Sequence, residues 1–211
     1  ADGAGGAGGE WEVEWARARP KPVFAAPCLD ARGACFVAGA DGRLCKFSPR
    51  GEEAWAVETR APVFSAPQWT PLAGGGGGGV VFFGSHDGEV PRPGQRGTVC
   101  GCEQWRVGAR AAGAERPGAQ VRCVCASRGA LLWSARACGG GGAQCGAAPG
   151  ACAVAAAVAL APALRGHGVC VAAAACGRVA ALDLRSGALL AACRLPGQVL
   201  PRSLYGGRGA A

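Results

Sequence analysis

The chain of 211 residues contains no Ile, no Asn and no Met, and its only two lysines are Lys21 and Lys46. Ala, Gly, Arg and Pro are abundant instead, a bias that reflects a GC-rich gene as much as protein physics. The net charge of +8 therefore rests almost wholly on Arg residues scattered along the chain. Nucleic-acid binding needs a clustered stripe of Lys and Arg. We therefore predict an ordinary solvated basic surface and no nucleic-acid partner.

Long hydrophobic segments are also missing. The longest apolar run, residues 151–164, is too short to span a bilayer, and Pro162 interrupts it. No charged and then apolar leader opens the chain, which begins with Ala. We therefore predict no membrane partner, and we expect a fragment or a processed piece of a longer protein.

Recognisable metal and catalytic motifs are absent. The 13 cysteines include no CxxC pair, whereas a zinc site needs four converging ligands. The glycines at 74–79 precede a strand-like "VVFFG" rather than the Lys-Ser/Thr of a phosphate loop. His86 and His167 have no nucleophile placed beside them by any motif. We predict no catalytic residue, no metal, and reduced, partly buried thiols in a cytoplasmic protein.

The chain does contain an internal repeat. "PVFAAP" at residues 22–27 returns as "PVFSAP" at 62–67, an offset of 40 that Trp15 and Trp55 share. The Asp-Gly turn returns after 46 residues, and the six glycines at 74–79 account for the excess. The structural repeat positions are Pro22, Pro62, Trp15, Trp55, Trp133, Asp41, Gly42, Asp87 and Gly88.

Each repeat is predicted to contain four short strands. In the first unit these are residues 22–27, 34–40, 43–48 and 52–59, with the hairpin turn Asp41-Gly42 between the second and third. Four antiparallel strands in about 40 residues are the signature of a propeller blade. We predict an all-β, incomplete β-propeller of about three four-stranded blades. Its tryptophans would pack between neighbouring blades, in preference to forming a stacking platform for a ligand.

The second unit is interrupted, and a third is degraded but traceable from 168 to 200, with Ala191 where Trp133 stands. The interruption has no counterpart in the first unit, so we expect a disordered loop or translated non-coding sequence. The predicted regions are a Gly-rich disordered start at 1–10, blades at 11–90, an unmatched insertion at 91–120, further blades at 121–200, and a disordered tail at 201–211.

Several segments resemble a known repeat family. "PVFSAP", "VVFFGSHDGEV", "DGRLCKFSPRGEEAW" and "LDLRSGALLAACRLPGQV" are similar to the pyrroloquinoline-quinone repeats of quinoprotein-like propellers. The resemblance is greatest to the C-terminal propellers of the beta-alanine-activating enzymes of the acyl-CoA synthetase family. It covers residues 11–90 and 121–200 and implies a quinoprotein alcohol dehydrogenase-like or WD40-like fold. It also implies a parent enzyme of fatty or amino acid metabolism that uses ATP and a phosphopantetheine carrier.

No segment matches the adenylation or carrier domains of that family. The related quinoprotein dehydrogenases use adjacent cysteines and a calcium site containing Asn, and this chain has no Cys-Cys dipeptide and no Asn. We therefore predict a non-catalytic docking module without a cofactor, whose partner is a protein or a carrier domain. The alternatives are a quinone-dependent oxidoreductase domain and a free-standing WD40-like scaffold.

Overall fold

The computed structural model describes residues 12–59, 61–72, 78–85, 119–138, 154, 158–161 and 168–197. All the regular structure in these residues is β, in twelve strands. The strands form three four-stranded sheets, and every pairing between them is antiparallel. No helix within the described ranges has the length and apolarity needed to cross a bilayer.

Blade 1 is a meander in which each strand pairs with the next. Glycines with positive φ occupy its three turns, where a side chain would be strained: Gly33, Gly42 and Gly51. Along the second strand Phe36 and Ala38 are fully buried, while the alternate residues Cys35 and Val37 are only partly buried, as period-2 alternation predicts. The strands are β1 (Cys28–Leu29), β2 (Cys35–Ala38), β3 (Arg43–Phe47) and β4 (Glu53–Glu58).

Blades 2 and 3 repeat this meander. The second sheet contains β5 (Gln68–Pro71), β6 (Gly79–Ser85), β7 (Gln120–Cys125) and β8 (Leu131–Arg136). The third contains β9 (Ala159–Ala161), β10 (Val169–Ala173), β11 (Arg178–Asp183) and β12 (Leu189–Arg194). β9 lies inside the apolar run at 151–164, to which the sequence alone assigned no strand.

Strand β6 lies between two apolar cores because its successive side chains point to opposite faces. Val81 and Phe83 pack in the core shared by blades 1 and 2. Val80 and Phe82 pack in the core shared by blades 2 and 3. Every residue of β6 is buried, so blade 2 is covered on both faces. The described residues thus form an incomplete β-propeller of three blades.

The predicted strands at 22–27 and 62–67 are wrong. The first strands of blades 1 and 2 begin directly after these segments, at Cys28 and Gln68. Proline has no N–H to donate to a strand ladder, and a Pro stands at both ends of each segment. The first segment leads into blade 1 and the second leads from blade 1 to blade 2. Both are bonded to the turn between β2 and β3: Ala40 N–H donates to Pro22 O at 3.0 Å, and Val63 N–H donates to Gly39 O at 3.2 Å.

The strand register makes the fourth strands comparable. Trp55 lies opposite Lys46 in blade 1, Trp133 opposite Cys123 in blade 2, and Ala191 opposite Ala181 in blade 3. Next to each of these pairs the fourth strand carries one extra residue, a β-bulge, at Ala54, Leu132 and Leu190. Ala191 therefore occupies the position of a tryptophan, as the degraded third repeat predicts.

Candidate functional site

The repeated tryptophans lie at the joints between blades. The indole of Trp55, on β4, rests against Gly129 in the turn between β7 and β8 of the next blade. Its Nε1–H donates to Ala126 O at 3.2 Å, and its ring centroid lies 5.8 Å from that of Phe36. Gly129 has a φ of 68°, and a Cβ on it would lie 2.9 Å from the indole. The ring thus occupies space that only a glycine leaves open.

Two more tryptophans make the same contact one blade further in each direction. Trp133 lies against Gly187 and donates to Leu184 O at 3.3 Å, which connects blade 2 to blade 3. Trp15 lies against Gly51 and donates to Pro49 O at 2.9 Å, which connects the segment before β1 to blade 1. Each indole packs on a turn glycine and near a phenylalanine ring, with centroid distances of 5.8 Å for Trp55, 5.7 Å for Trp133 and 6.0 Å for Trp15, so we assign these tryptophans a packing role.

The Asp41-Gly42 turn is a structural anchor. Asp41 Oδ2 lies 2.7 Å from Arg19 Nη2, and both side chains are at most 11% exposed. The other carboxylate oxygen accepts the Arg43 N–H at 3.1 Å. The Gly42 carbonyl accepts both the backbone N–H and the hydroxyl of Thr59. The turn therefore ties blade 1 to the segments before and after it. Asp87 and Gly88, its counterparts in blade 2, lie outside the described residues, as do His86 and His167.

A second charged group lies at the joint between blades 1 and 2. Lys46 Nζ lies 3.3 Å from Asp30 Oδ2, donates to Ala126 O at 3.0 Å, and sits 5.3 Å from the Phe36 ring centroid. Burial alone would raise the pKa of Asp30. Hydrogen bonds from the Ala34 and Arg32 amides and the nearby Lys46 ammonium outweigh it and lower that pKa. The Asp30 carboxyl is therefore ionised at neutral pH, and we assign the pair a structural role.

The buried cysteines are poor candidates for nucleophiles. Burial raises the pKa of Cys170 to about 12 and that of Cys123 well above its ordinary value. The thiolate is the reactive form, so at neutral pH both thiols are protonated and pack as small apolar groups. Within the part of the chain that the structure describes, no three His, Cys, Asp or Glu side chains are grouped to hold a metal ion.

Several large apolar side chains are exposed among the described residues, and one group of them involves equivalent positions of the repeat. Val23 and Phe24 are 41% and 45% exposed, and the Phe24 ring centroid lies 5.8 Å from that of Phe64. Phe24 and Phe64 hold the same place in their repeats, so the two proline-bounded segments bring equivalent rings together. We call Val23, Phe24 and Phe64 the Phe24 face. It is the candidate functional site. Its side chains are apolar, so it is a candidate binding surface rather than a candidate catalytic site.

The sequence indicated the place of the tryptophans, but it did not indicate the two ion pairs of blade 1. The pairs Arg19–Asp41 and Asp30–Lys46 join residues 22 and 16 positions apart in unrelated local contexts, so no sequence signal indicates them. The Phe24–Phe64 pair could have been found, because the 40-residue repeat puts both rings at the same position.

Comparisons with known proteins find similar solved structures only. No protein-family model and no curated protein sequence matches the chain. The chain is similar to the solved structure of BamB from Moraxella catarrhalis, with 16% identity over 82% of this chain and 37% of that one and a TM-score of 0.46. It is also similar to the computationally designed Ika8 protein, with 16% identity over 85% of this chain and 39% of that one and a TM-score of 0.47.

A third similar structure is a protein of unknown function from Bacteroides caccae, with 12% identity over 87% of this chain and 50% of that one and a TM-score of 0.46. The chain thus spans half or less of the length of each of these structures. Similarity at this level of identity concerns the fold alone, and the propeller architecture rests on the strand pairings described above. The link to the beta-alanine-activating enzymes stays a prediction.

Proposed function

We propose that the chain is a non-catalytic docking module on a propeller scaffold, and that it belongs to a larger adenylate-forming enzyme that activates an acyl group or an amino acid. The Phe24 face is the observation that supports docking. Aromatic side chains are frequent anchors of protein interfaces, and exposed apolar surface in a soluble domain often marks an interaction site. The parent enzyme rests on the repeat resemblance.

The scaffold holds this face in place. Pro22 and Val63 are fixed by backbone hydrogen bonds to the residues around the Asp41-Gly42 turn. Ser65, which is buried next to Phe64, donates its hydroxyl to Gly84 O at 3.0 Å and accepts the Gly84 N–H at 2.6 Å. A surface that is ordered before binding loses little conformational entropy when a partner docks.

The charge around the face indicates the chemistry of the partner. Lys21 lies two residues before Val23 and is exposed, and the chain as a whole carries a charge of +8. We propose a partner with an apolar centre and an acidic rim, namely the carrier domain of the same enzyme. Electrostatic complementarity of this kind mainly speeds association.

A binding titration of the carrier domain tests the docking role. We expect Phe24→Ser to weaken binding at least ~10-fold, because truncating an interface anchor costs about 1.4 kcal/mol or more. Leu190→Ser is the matched control, because Leu190 on β12 is 41% exposed and lies outside the face. Equal affinities of the wild type and both variants would remove the face from the interface.

The coding sequence upstream of Ala1 tests the parent enzyme separately. An adenylation domain in the same reading frame is expected. Its absence would overturn the parent enzyme without affecting the docking role. An absorbance titration with quinone and calcium distinguishes the docking module from the quinone-dependent oxidoreductase. Saturable binding of the quinone would contradict a module without a cofactor.

A further inference from the structure

Two cysteine side chains meet across the joint between blades 2 and 3. Cys138 follows β8, and Cys176 lies in the turn between β10 and β11. Their Sγ atoms are 3.4 Å apart, although 38 residues separate them in the chain. A disulfide has an S–S distance of about 2.05 Å, so the sulfurs must approach by roughly 1.4 Å to bond.

Both thiols are held by local backbone contacts. The Cys138 N–H points to Ala119 O at 3.5 Å, next to the start of β7. The turn at Cys176 is closed by the Gly177 N–H, which donates to Ala174 O at 2.9 Å. Because both cysteines are positioned by their own blades, closing the S–S gap requires a small relative shift of two neighbouring units rather than unfolding.

The two thiols differ in access. Cys138 is only 2% exposed, whereas Cys176 is half-buried and lines a pocket of about 250 Å³. The pocket is also lined by Arg178 and Arg194, which face each other across β11 and β12. The Nε of Arg178 is buried and has no hydrogen-bond partner among the described residues. A small anionic molecule that enters this pocket can therefore reach Cys176 but not the buried Cys138.

We propose that Cys138 and Cys176 form an oxidation-sensitive dithiol that a small anionic disulfide, such as oxidised glutathione, converts into a crosslink between blades 2 and 3. The arginines of the pocket attract the carboxylates of the oxidant. Cys193 lines the same pocket but is exposed on β12, and it has no assigned part in the crosslink.

The reaction is two thiol–disulfide exchanges. The Cys176 thiolate attacks one sulfur of the oxidant, the S–S bond of the oxidant breaks, and the departing thiolate takes up the proton that Cys176 lost. The deprotonated Cys138 then attacks the Cys176 sulfur in this mixed disulfide, and the second glutathione leaves as a thiol. The two cysteines are oxidised by two electrons, and one oxidised glutathione becomes two reduced molecules.

The crosslink closes a 38-residue loop that contains β9 and β10. It removes conformational freedom from the unfolded chain, and for a loop of this length we expect the melting temperature to rise by roughly 5–15 °C. A reducing thiol returns the protein to its starting state.

Oxidation of the full chain with oxidised glutathione, followed by non-reducing digestion and mass spectrometry, tests the proposal. We expect a peptide pair that joins Cys138 to Cys176 and disappears on reduction. Cys138→Ala should stop the reaction at a glutathione adduct on Cys176 and abolish the rise in melting temperature. Cys193→Ala is the matched control and should still form the crosslink.

Two results would overturn the dithiol. One is a Cys176 that stays unmodified or pairs with Cys193. The other is a rise in melting temperature that survives Cys138→Ala. The melting temperature of each reduced variant checks its folding. If Cys138→Ala does not fold, peptide mapping of the wild type alone decides the pairing.

A second oxidant tests the role of the arginines. Arg178→Gln should slow crosslinking by oxidised glutathione several-fold, and it should leave the rate with uncharged hydroxyethyl disulfide unchanged. Rates that fall equally for both oxidants, or for neither, would overturn the preference for an anionic oxidant while leaving the crosslink itself in place.

Discussion

Glycine at the turn between the third and fourth strands of each blade is required by the tryptophan of the unit before it. At Gly51, Gly129 and Gly187 a positive φ coincides with an indole ring packed onto the Cα. Two independent constraints, backbone conformation and steric contact, therefore select the same residue. This explains why glycine and tryptophan recur together along a chain in which other positions vary.

We predict that Gly187→Ala destabilises the protein by about 2–4 kcal/mol. The new Cβ would lie 2.7 Å from the Trp133 ring, and the residue has a φ of 70°, so overpacking adds to backbone strain. Gly33→Ala is the control, because Gly33 has a φ of 79° but its nearest atom would be Pro49 Cγ at 3.8 Å. It should lose only ~1–2 kcal/mol. Chemical denaturation measures both variants, and equal losses would show that the tryptophan contact is unimportant.

The carboxylate of Asp30 predicts a pH dependence. Its pKa in the folded state is lowered from the ordinary value of 3.8, so its contribution to stability is complete above about pH 4 and is lost as the pH falls through the folded-state pKa. We expect Asp30→Asn to lower the melting temperature clearly at pH 7 and much less near pH 2. Glu58→Gln is the control, since Glu58 is 81% exposed and 3.9 Å from Arg43. A deficit in Asp30→Asn that does not change with pH would contradict this role.

At the scale of elements, the hairpin β6–β7 shows where the second repeat is interrupted. Ser85 pairs with Gln120, so the chain leaves and re-enters the hairpin at neighbouring positions. Blade 1 spans the corresponding turn with Gly39-Ala40-Asp41-Gly42-Arg43. Matching the two registers assigns the excess to residues 89–119, whereas the sequence alone assigned it to 91–120. Of the latter range, only 119 and 120 are described, and Gln120 begins β7.

We predict that deleting residues 89–119 preserves the fold. The deletion joins Gly88 to Gln120 and restores the spacing of the blade 1 turn, and the shorter loop should stabilise the protein by up to about 2 kcal/mol through a lower closure entropy. Circular dichroism and a denaturant melt of the full chain and the deletion variant measure the effect. Loss of the cooperative transition would show that the deleted residues hold blade 2 together.

The first strand of each blade was predicted least well. Trp55, Trp133 and Ala191 were placed correctly in fourth strands, because these strands follow a glycine turn and carry a recognisable residue. The first strands are only two to four residues long. Short strands give little period-2 signal, and the proline-bounded segments next to β1 and β5 were mistaken for them.

At the scale of the whole molecule, stability resides in the joints. One core joins blades 1 and 2, a second joins blades 2 and 3, and β6 contributes to both. Each described joint adds a tryptophan on a glycine turn, and the joint between blades 1 and 2 adds the Asp30–Lys46 pair. Blade 3 lacks the equivalent tryptophan, and its last strand, β12, is exposed along its full length. Closed propellers have four to eight blades, and the described residues form three.

The amino-acid sequence by itself determined the class of fold, the period of the repeat, the positions of the turn glycines and the place of the tryptophans, because these depend on residues close together in the chain. The tertiary structure decided which partners those residues meet. The ion pairs and the Cys138–Cys176 contact all join residues at least 16 positions apart. These residues come into contact only when the chain folds into blades and the blades pack together, and no local sequence preference determines those contacts.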